Sequence, residues 1–213
     1  MMVDVGGIEN VLVFDTETTG RANFGLPGSH PSQPLPVQLG ALMYRIPEGV
    51  PFTFADAKEV HRVNLMIDQP KEIAEGAQAV HGISPELARA VGISLETAMF
   101  AFDDMAAKAD LLVCHNFKFD IRVMEQAYVQ CGHHAGLWQT IASKRSFCTM
   151  QAATPILKLP KDNGHKGNKW PKLEECTRNF FGEEIDGAHD ALVDVEATAR
   201  VFFHIINLLT RGD

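Results

Sequence analysis

Val11-Leu12-Val13-Phe14-Asp15-Thr16-Glu17-Thr18-Thr19-Gly20 decides how this chain is read. The first four residues are apolar, two of them β-branched and one aromatic, which is the composition of a buried strand. Thr18-Thr19-Gly20 supplies the turn that ends it. Side chains alternate along a strand, so Asp15 and Glu17 point to the same side, roughly 7 Å apart along the chain. Two carboxylates aimed into one spot at a buried strand end repel each other unless something cationic sits between them. Hard divalent cations such as Mg²⁺ suit that position, because they take oxygen ligands and keep several waters. Taken alone, the pair equally fits a polar strand end with solvated acids.

Beyond Gly20 comes a Gly/Pro/Ser-rich excursion, Arg21 to Pro36, with no period of its own. Val37 to Arg45 and Val60 to Ile67 read as strands able to pair with the first. A short helix over Pro70 to Val80 precedes another opened by Ser84-Pro85-Glu86, with Ser84 as N-cap and Pro85 at the first helical position. Ser94 caps a longer helix with the inward stripe Leu95, Ala98, Phe102, Met105 and Ala109. Leu111 to Cys114 is a second buried strand, and the helix behind it carries its stripe at Phe117, Ile121, Met124, Tyr128 and Cys131. Phe147 and Cys148 read as an edge strand before a helix starting at Thr149. After a loop over Leu159 to Lys169, Pro171 opens a helix that Gly182 ends. The last helix runs from about Asp190 to Leu209, with the stripe Leu192, Val195, Ala199, Phe202 and Ile206. Strands first, then strands interleaved with helices, predict one α/β domain over residues 1–213, a mixed sheet with helices on its faces.

Bulk properties narrow the classes. With 213 residues, 46% of them apolar, the chain suits one domain with a substantial core. A formal net charge of −8 argues against a broad electrostatic groove for nucleic acid. It does not exclude a nuclease whose own acids are offset by metal. Cys114, Cys131, Cys148 and Cys176 stand singly with no Cys-x-x-Cys pair, which argues for reduced thiols in a cytoplasmic setting and against a zinc site. Met1-Met2-Val3-Asp4 lacks the basic stretch and apolar run of a signal peptide, and no apolar run is long enough to span a bilayer.

Two later motifs extend the acid pair. In His115-Asn116-Phe117-Lys118-Phe119-Asp120, Asn116 is placed to cap the next helix, which puts Asp120 in its first turn near the strand end. The other is His189-Asp190-Ala191-Leu192-Val193-Asp194. Inside one helix, His189 and Asp194 would lie roughly 140° apart and could not serve one site. A helix starting at Asp190 leaves His189 in the preceding loop, where Gly187 lets it swing toward the face that carries Asp194.

The ordered set Asp-x-Glu, HNFKFD and HDALVD resembles the DEDDh family of 3′–5′ exonucleases. That family includes the proofreading ε subunit of bacterial replicative polymerases, ribonuclease T, oligoribonuclease and the Trex enzymes. VHGIS, Val80 to Ser84, resembles the family's segment after its third strand. The resemblance implies a ribonuclease-H-like fold, a five-stranded mixed sheet flanked by helices. It implies that Asp15, Glu17, Asp120 and Asp194 hold two Mg²⁺ or Mn²⁺ ions, Asp15 bridging both, and that His189 is the general base for the attacking water. The chemistry needs these residue types: a phosphodiester is already anionic, and two metals about 4 Å apart stabilise both attacking and leaving oxygens. Histidine supplies a base near neutrality without large perturbation. Thr18, Thr19, Val80 and His81 resemble the lining of the family's terminal-nucleotide pocket, with His115 and Asn116 flanking it. Thr18 and Thr19 equally suit the turn, and His81 equally suits an ordinary surface histidine. His61, His133, His134, His165 and His204 have no ligand spacing, and Phe119 is the one aromatic singled out as a base contact.

The DTETTG form looks closer to the ε-subunit branch than to oligoribonuclease, so the expected substrate is a single-stranded or frayed DNA 3′ end, cut to 5′-nucleotides. An exoribonuclease acting on short RNA or RNA 3′ ends is the alternative. A catalytically silent nucleic-acid-binding or polymerase-docking module is the second. Proofreading relatives often carry a further C-terminal segment that docks on a DNA polymerase. None is visible after Asp194, which suggests a stand-alone domain or one that meets such a partner through its own surface. Oligomeric state stays open, a homodimer included, since ribonuclease T and Trex relatives dimerise. Two loops depart from the pattern. Arg21 to Pro36 is a surface insertion that would act as a lid or substrate guide if it folded over the site. Lys158 to Lys172 sets Lys158, Lys161, Lys166, Lys169 and Lys172 against Asp162. It would meet the substrate backbone beyond the terminal nucleotides, or else remain a solvated loop.

Overall fold

In β1 (Asn10–Thr18) the apolar run and both acids form one strand, and its neighbours explain why it is buried. The computed structural model describes residues 6–47, 55–132, 141–161 and 166–211. β2 (Pro36–Arg45) pairs antiparallel with β1, and β3 (Lys58–Asp68) antiparallel with β2. On the other side β5 (Leu111–Cys114) runs parallel to β1, and β6 (Arg145–Cys148) parallel to β5. Among the described residues, with β4 at Ile93–Ser94, the order is β4-β3-β2-β1-β5-β6, six strands where five were expected. The extra strand, β4 (Ile93–Ser94), is a two-residue parallel pairing with Ile67 and Asp68. A pairing that short has no period to read. It exists because Gly92 passes so close to β3 that an added Cβ would stand 2.5 Å from the Asp68 amide nitrogen.

Alternation along β1 divides the core. Leu12 and Phe14 pack with Leu39, Ala41 and Met43 against α3 (Leu95–Lys108) and α4 (Phe117–Gln130), where Phe14 meets Phe102 edge-on at 4.9 Å. Val11 and Val13 pack with Leu42 and Tyr44 against Val195, Ala199, Phe202 and Ile206 of a long C-terminal helix, residues 191–211. Each large apolar side chain fully buried in this way stabilises the fold by roughly 1.5–3 kcal/mol. Asp15 and Glu17 continue the odd-numbered row, so they face the C-terminal helix.

The remaining elements follow their caps. α1 (Glu75–His81) begins later than Pro70, because the preceding residues anchor the turn after β1: Ala74 N donates to Thr19 O at 2.9 Å, and Lys71 Nζ donates to the carbonyls of Pro31 and Gln33. In α2 (Pro85–Val91) Ser84 Oγ accepts from Leu87 N, and in α3 Ser94 Oγ accepts from Thr97 N, as the sequence predicts. α5 (Thr149–Leu157) follows β6 directly. α6 (Leu173–Phe181) starts just past Pro171 and ends at Gly182, φ +71°. The C-terminal helix, α7, spans Ala191–Arg211. The Arg21–Pro36 insertion is a self-bonded lobe that packs against α4. Buried Gln33 donates through Nε2 to Asn23 O and Pro27 O, while the Arg122 guanidinium of α4 sits 5.1 Å from the Phe24 ring centre. Among the described residues no helix is long and apolar enough to cross a membrane.

Candidate active site

The ends of β1 and β5 and the start of α7 meet at one edge of the sheet. Asp120, in the first turn of α4, reaches β1 through Thr16: its Oδ1 accepts from Thr16 N at 3.2 Å and from Thr16 Oγ1 at 2.9 Å. The residue between the two strand acids thus fixes the third. Asn116 occupies the N-cap position of α4 but makes no side-chain cap. Its backbone turns left-handed, φ +68°, to carry the chain from β5 into the helix, a conformation that Asn tolerates better than most residues.

Helix α7 opens one residue after the expected start. Asp190 is its cap, with Oδ1 accepting from Leu192 N at 3.0 Å and Val193 N at 3.3 Å. His189 stays outside the helix at φ +70°, two residues after Gly187 at φ +79°, and its N–H donates to Asp194 Oδ2 at 3.3 Å. Potential ligand atoms of Glu17, His189 and Asp194 all lie within 4.8 Å of one another. Two residues of β2 hold the helix there. Gln38, opposite Glu17, donates through Nε2 to Asp190 Oδ2 and Asn64 Oδ1, both at 2.9 Å, and accepts through Oε1 from Ala191 N. Gly40, opposite Asp15, leaves room for the crossing: an added Cβ would stand 2.5 Å from Ala191 O. Gly40→Ala should therefore cost about 1–3 kcal/mol of stability, as overpacking does. Denaturant unfolding reads that loss, and nuclease activity should fall with it as Asp194 and His189 shift.

The electrostatics are those of a site short of positive charge. Burial first, then Asp120, Asp194 and Glu17, hold the Asp15 carboxyl well above its ordinary range. Burial together with Asp194 and Asp120 pushes Glu17 up to about 8. Burial lifts Asp120 to about 7 against the two Thr16 hydrogen bonds, and Asp194 to about 6 against the pull of His189. Four mutually repelling carboxylates beside an imidazole form a donor set that fits hard divalent cations. A bound cation would supply the missing charge and Lewis acidity at this place.

Beside the acids opens a cleft of about 360 Å³ lined by Glu17, Thr18, Arg21, Val80, His81 and Phe119, among others. Larger hollows of about 620 and 680 Å³ lie near Lys71 and near Arg45, and neither includes the acids. Thr18 and Thr19 are buried turn residues: Thr18 Oγ1 donates to Gly20 O, and Thr19 Oγ1 accepts from Leu35 N. His81 Nδ1 accepts from Ile83 N, so Nε2 carries the proton and donates to Thr18 O at 3.2 Å. Burial lowers its pKa. His115 is engaged on both nitrogens. Nε2 donates to Pro171 O at 3.0 Å and Nδ1 faces Thr149 Oγ1 at 2.9 Å, while burial pushes its pKa down to about 4. Val80 is exposed on the cleft wall. Of the histidines read as non-ligands, His204 packs between Phe180 and Phe181, and His133, His134 and His165 lie outside the described residues.

Residues 12–202 match the exonuclease family RNase T. The chain belongs to that family. The resemblance carried by DTE, HNFKFD and HDALVD is thereby upheld. E. coli exonuclease I in complex with a dT13 oligonucleotide matches with a TM-score of 0.72 at 18% identity, over 96% of this chain and 42% of that one. Its complex with dA16 gives 0.70 at 21% identity over the same shares. The zinc-ion-bound exonuclease I–ssDNA complex gives 0.68 at 20%, over 95% and 43%. At these identities the likeness concerns the fold, and the chain spans less than half the length of the exonuclease I chains it matches. No curated protein matches it. In this RNase T family member, sequence reasoning missed Thr16, Gln38 and Gly40, which place the acids, and Glu174, whose Oε1 lies 4.0 Å from His189 Nε2. Gln38 and Gly40 stand opposite Glu17 and Asp15 in a strand register that no single stretch of sequence displays.

Proposed function

We propose that the chain is a 3′–5′ exonuclease of single-stranded or frayed DNA, using two Mg²⁺ or Mn²⁺ ions held by Asp15, Glu17, Asp120 and Asp194 and releasing 5′-nucleotides. The observation that carries this reading is the gathering of four acids and His189 around the end of β1, beside an open cleft. Bound cations would neutralise the anionic phosphodiester. His189, left half exposed by its left-handed turn, takes the proton from the attacking water and passes it to solvent. Thr18, Val80, His81 and Phe119 line the cleft that receives the terminal nucleotide, with the turn at Thr19 holding its floor and His115 and Asn116 bracing the β5 side. The oligonucleotides held by the exonuclease I structures favour DNA as the substrate class. RNA is the alternative, turning on contacts to a 2′-hydroxyl. The four free cysteines favour a reducing, cytoplasmic setting.

Matched DNA and RNA oligonucleotides labelled at the 5′ end test the reading, each with Mg²⁺, Mn²⁺ or EDTA. A ladder shortening from the 3′ end in metal and absent in EDTA is expected, faster on DNA. A faster RNA ladder moves the substrate to RNA, and no ladder on either overturns the exonuclease reading. His189→Ala should lower kcat by about 10²–10⁴-fold, the usual worth of a general base, with KM for the strand changed far less. A variant that keeps the original kcat removes His189 from the role.

A further inference from the structure

The segment before α6 displays a side chain that the site leaves unused. Trp170 is 65% exposed, more than any other large apolar side chain among the described residues. The indole stands on a fixed frame. Pro160 and Asn168 form an antiparallel bridge, Lys169 N donates to Leu159 O at 3.0 Å, and Lys169 Nζ bonds Glu175 Oε1 at 2.5 Å. That frame is tied to the candidate site at two points. The adjoining Pro171 carbonyl accepts from His115 at the end of β5, and Glu174 lies 4.0 Å from His189. Lys158, Lys161, Lys166 and Lys172 are exposed around it, in a chain whose net charge is −8. Of the nearby acids among the described residues, Glu175 is occupied by Lys169, and half-buried Glu174 faces His189; Asp162 lies outside the described residues. An aromatic face among cations suits a single nucleic-acid strand, because every base has a face to stack and every phosphate a charge to pair.

We propose that Trp170, with Lys166 and Lys172, is a landing platform for the strand 5′ of the terminal nucleotide: one base stacks on the indole and the neighbouring phosphates meet the ammonium groups. This deepens the exonuclease reading and rests on it. The platform extends the grip beyond the terminal-nucleotide cleft and should be indifferent to base sequence.

The test uses the full chain. Trp138→Phe leaves Trp170 as the sole tryptophan, so indole fluorescence in EDTA reports on it directly. Titration with a 12-nucleotide oligo-dT should quench that fluorescence saturably, and added salt should weaken the binding. In the otherwise unaltered enzyme, Trp170→Ala should raise KM for the 12-mer about tenfold, the scale of one lost stack, with a smaller effect as the substrate shortens to a dinucleotide. Lys166→Ala with Lys172→Ala should flatten the dependence of KM on salt. Absence of quenching, together with an unchanged KM for Trp170→Ala, overturns the platform while leaving exonuclease activity standing. Quenching by an acidic peptide but not by oligo-dT also overturns it, in favour of a protein partner. If the unaltered enzyme hydrolyses no oligonucleotide, the exonuclease reading fails by itself, and quenching in EDTA alone decides whether the strand lands on Trp170.

Discussion

Asp15→Asn is expected to lower hydrolysis of a 5′-labelled DNA strand by at least about 10³-fold, the loss that follows when several kcal/mol of metal-borne charge stabilisation is removed. Asparagine keeps the shape of the side chain and gives up one ligand oxygen and one charge. Asp15 sits at the buried end of β1, its carboxyl raised by burial and by Asp120, Asp194 and Glu17 together. Removing its charge therefore relieves repulsion in the metal-free protein. The thermal midpoint in EDTA near pH 8 should equal or exceed that of the unaltered chain. Activity and stability thus move in opposite directions, a pattern that a structural role for Asp15 would not produce. A variant that still shortens the strand at the original rate overturns its assignment.

Metal-free stability should fall as pH rises from about 4, the ordinary carboxylate range, to about 8, the reverse of the usual carboxylate effect. Asp194, Asp120 and Glu17 are raised to about 6, about 7 and about 8 in the folded protein. A carboxyl whose folded pKa is raised holds its proton more tightly in the fold than in the unfolded chain. Its deprotonation through the folded pKa therefore costs stability as pH climbs. Calorimetry in EDTA should give a higher midpoint near pH 5.5 than near pH 8.5, with Mg²⁺ or Mn²⁺ restoring the alkaline value. At about a hundredfold excess over the dissociation constant the metal adds about 2.7 kcal/mol. Near pH 5.5 protons compete for the same oxygens, and the added metal should do much less. Equal midpoints at both pH values, or a metal effect that does not grow with pH, would show that these acids do not form one coupled cation site.

The elements legible from sequence were those whose cause is local. Val11 to Phe14 announces a buried strand by composition, Ser84 and Ser94 announce helix starts through their caps, and the stripe from Val195 to Ile206 has helical period. The angle between His189 and Asp194 within one helix required the helix to begin after His189, and α7 begins at Ala191. Local signals misled where a residue's backbone was claimed elsewhere. Asn116 turns left-handed instead of capping, residues 70–74 anchor the β1 turn instead of coiling, and a two-residue β4 has no pattern to detect.

By itself the sequence determined which side chains are candidates for the chemistry and on which kinds of element they sit, because alternation and helical period are properties of neighbours in the chain. Only the tertiary structure decided how they meet. Thr16 holds Asp120 across a separation of 104 residues, and Gln38 holds the start of α7 across 152. Gly40 admits that helix by lacking a side chain. Such contacts exist only once β1, β2, β5 and α7 are packed together, since strand register and close approach have no trace in any single stretch of sequence.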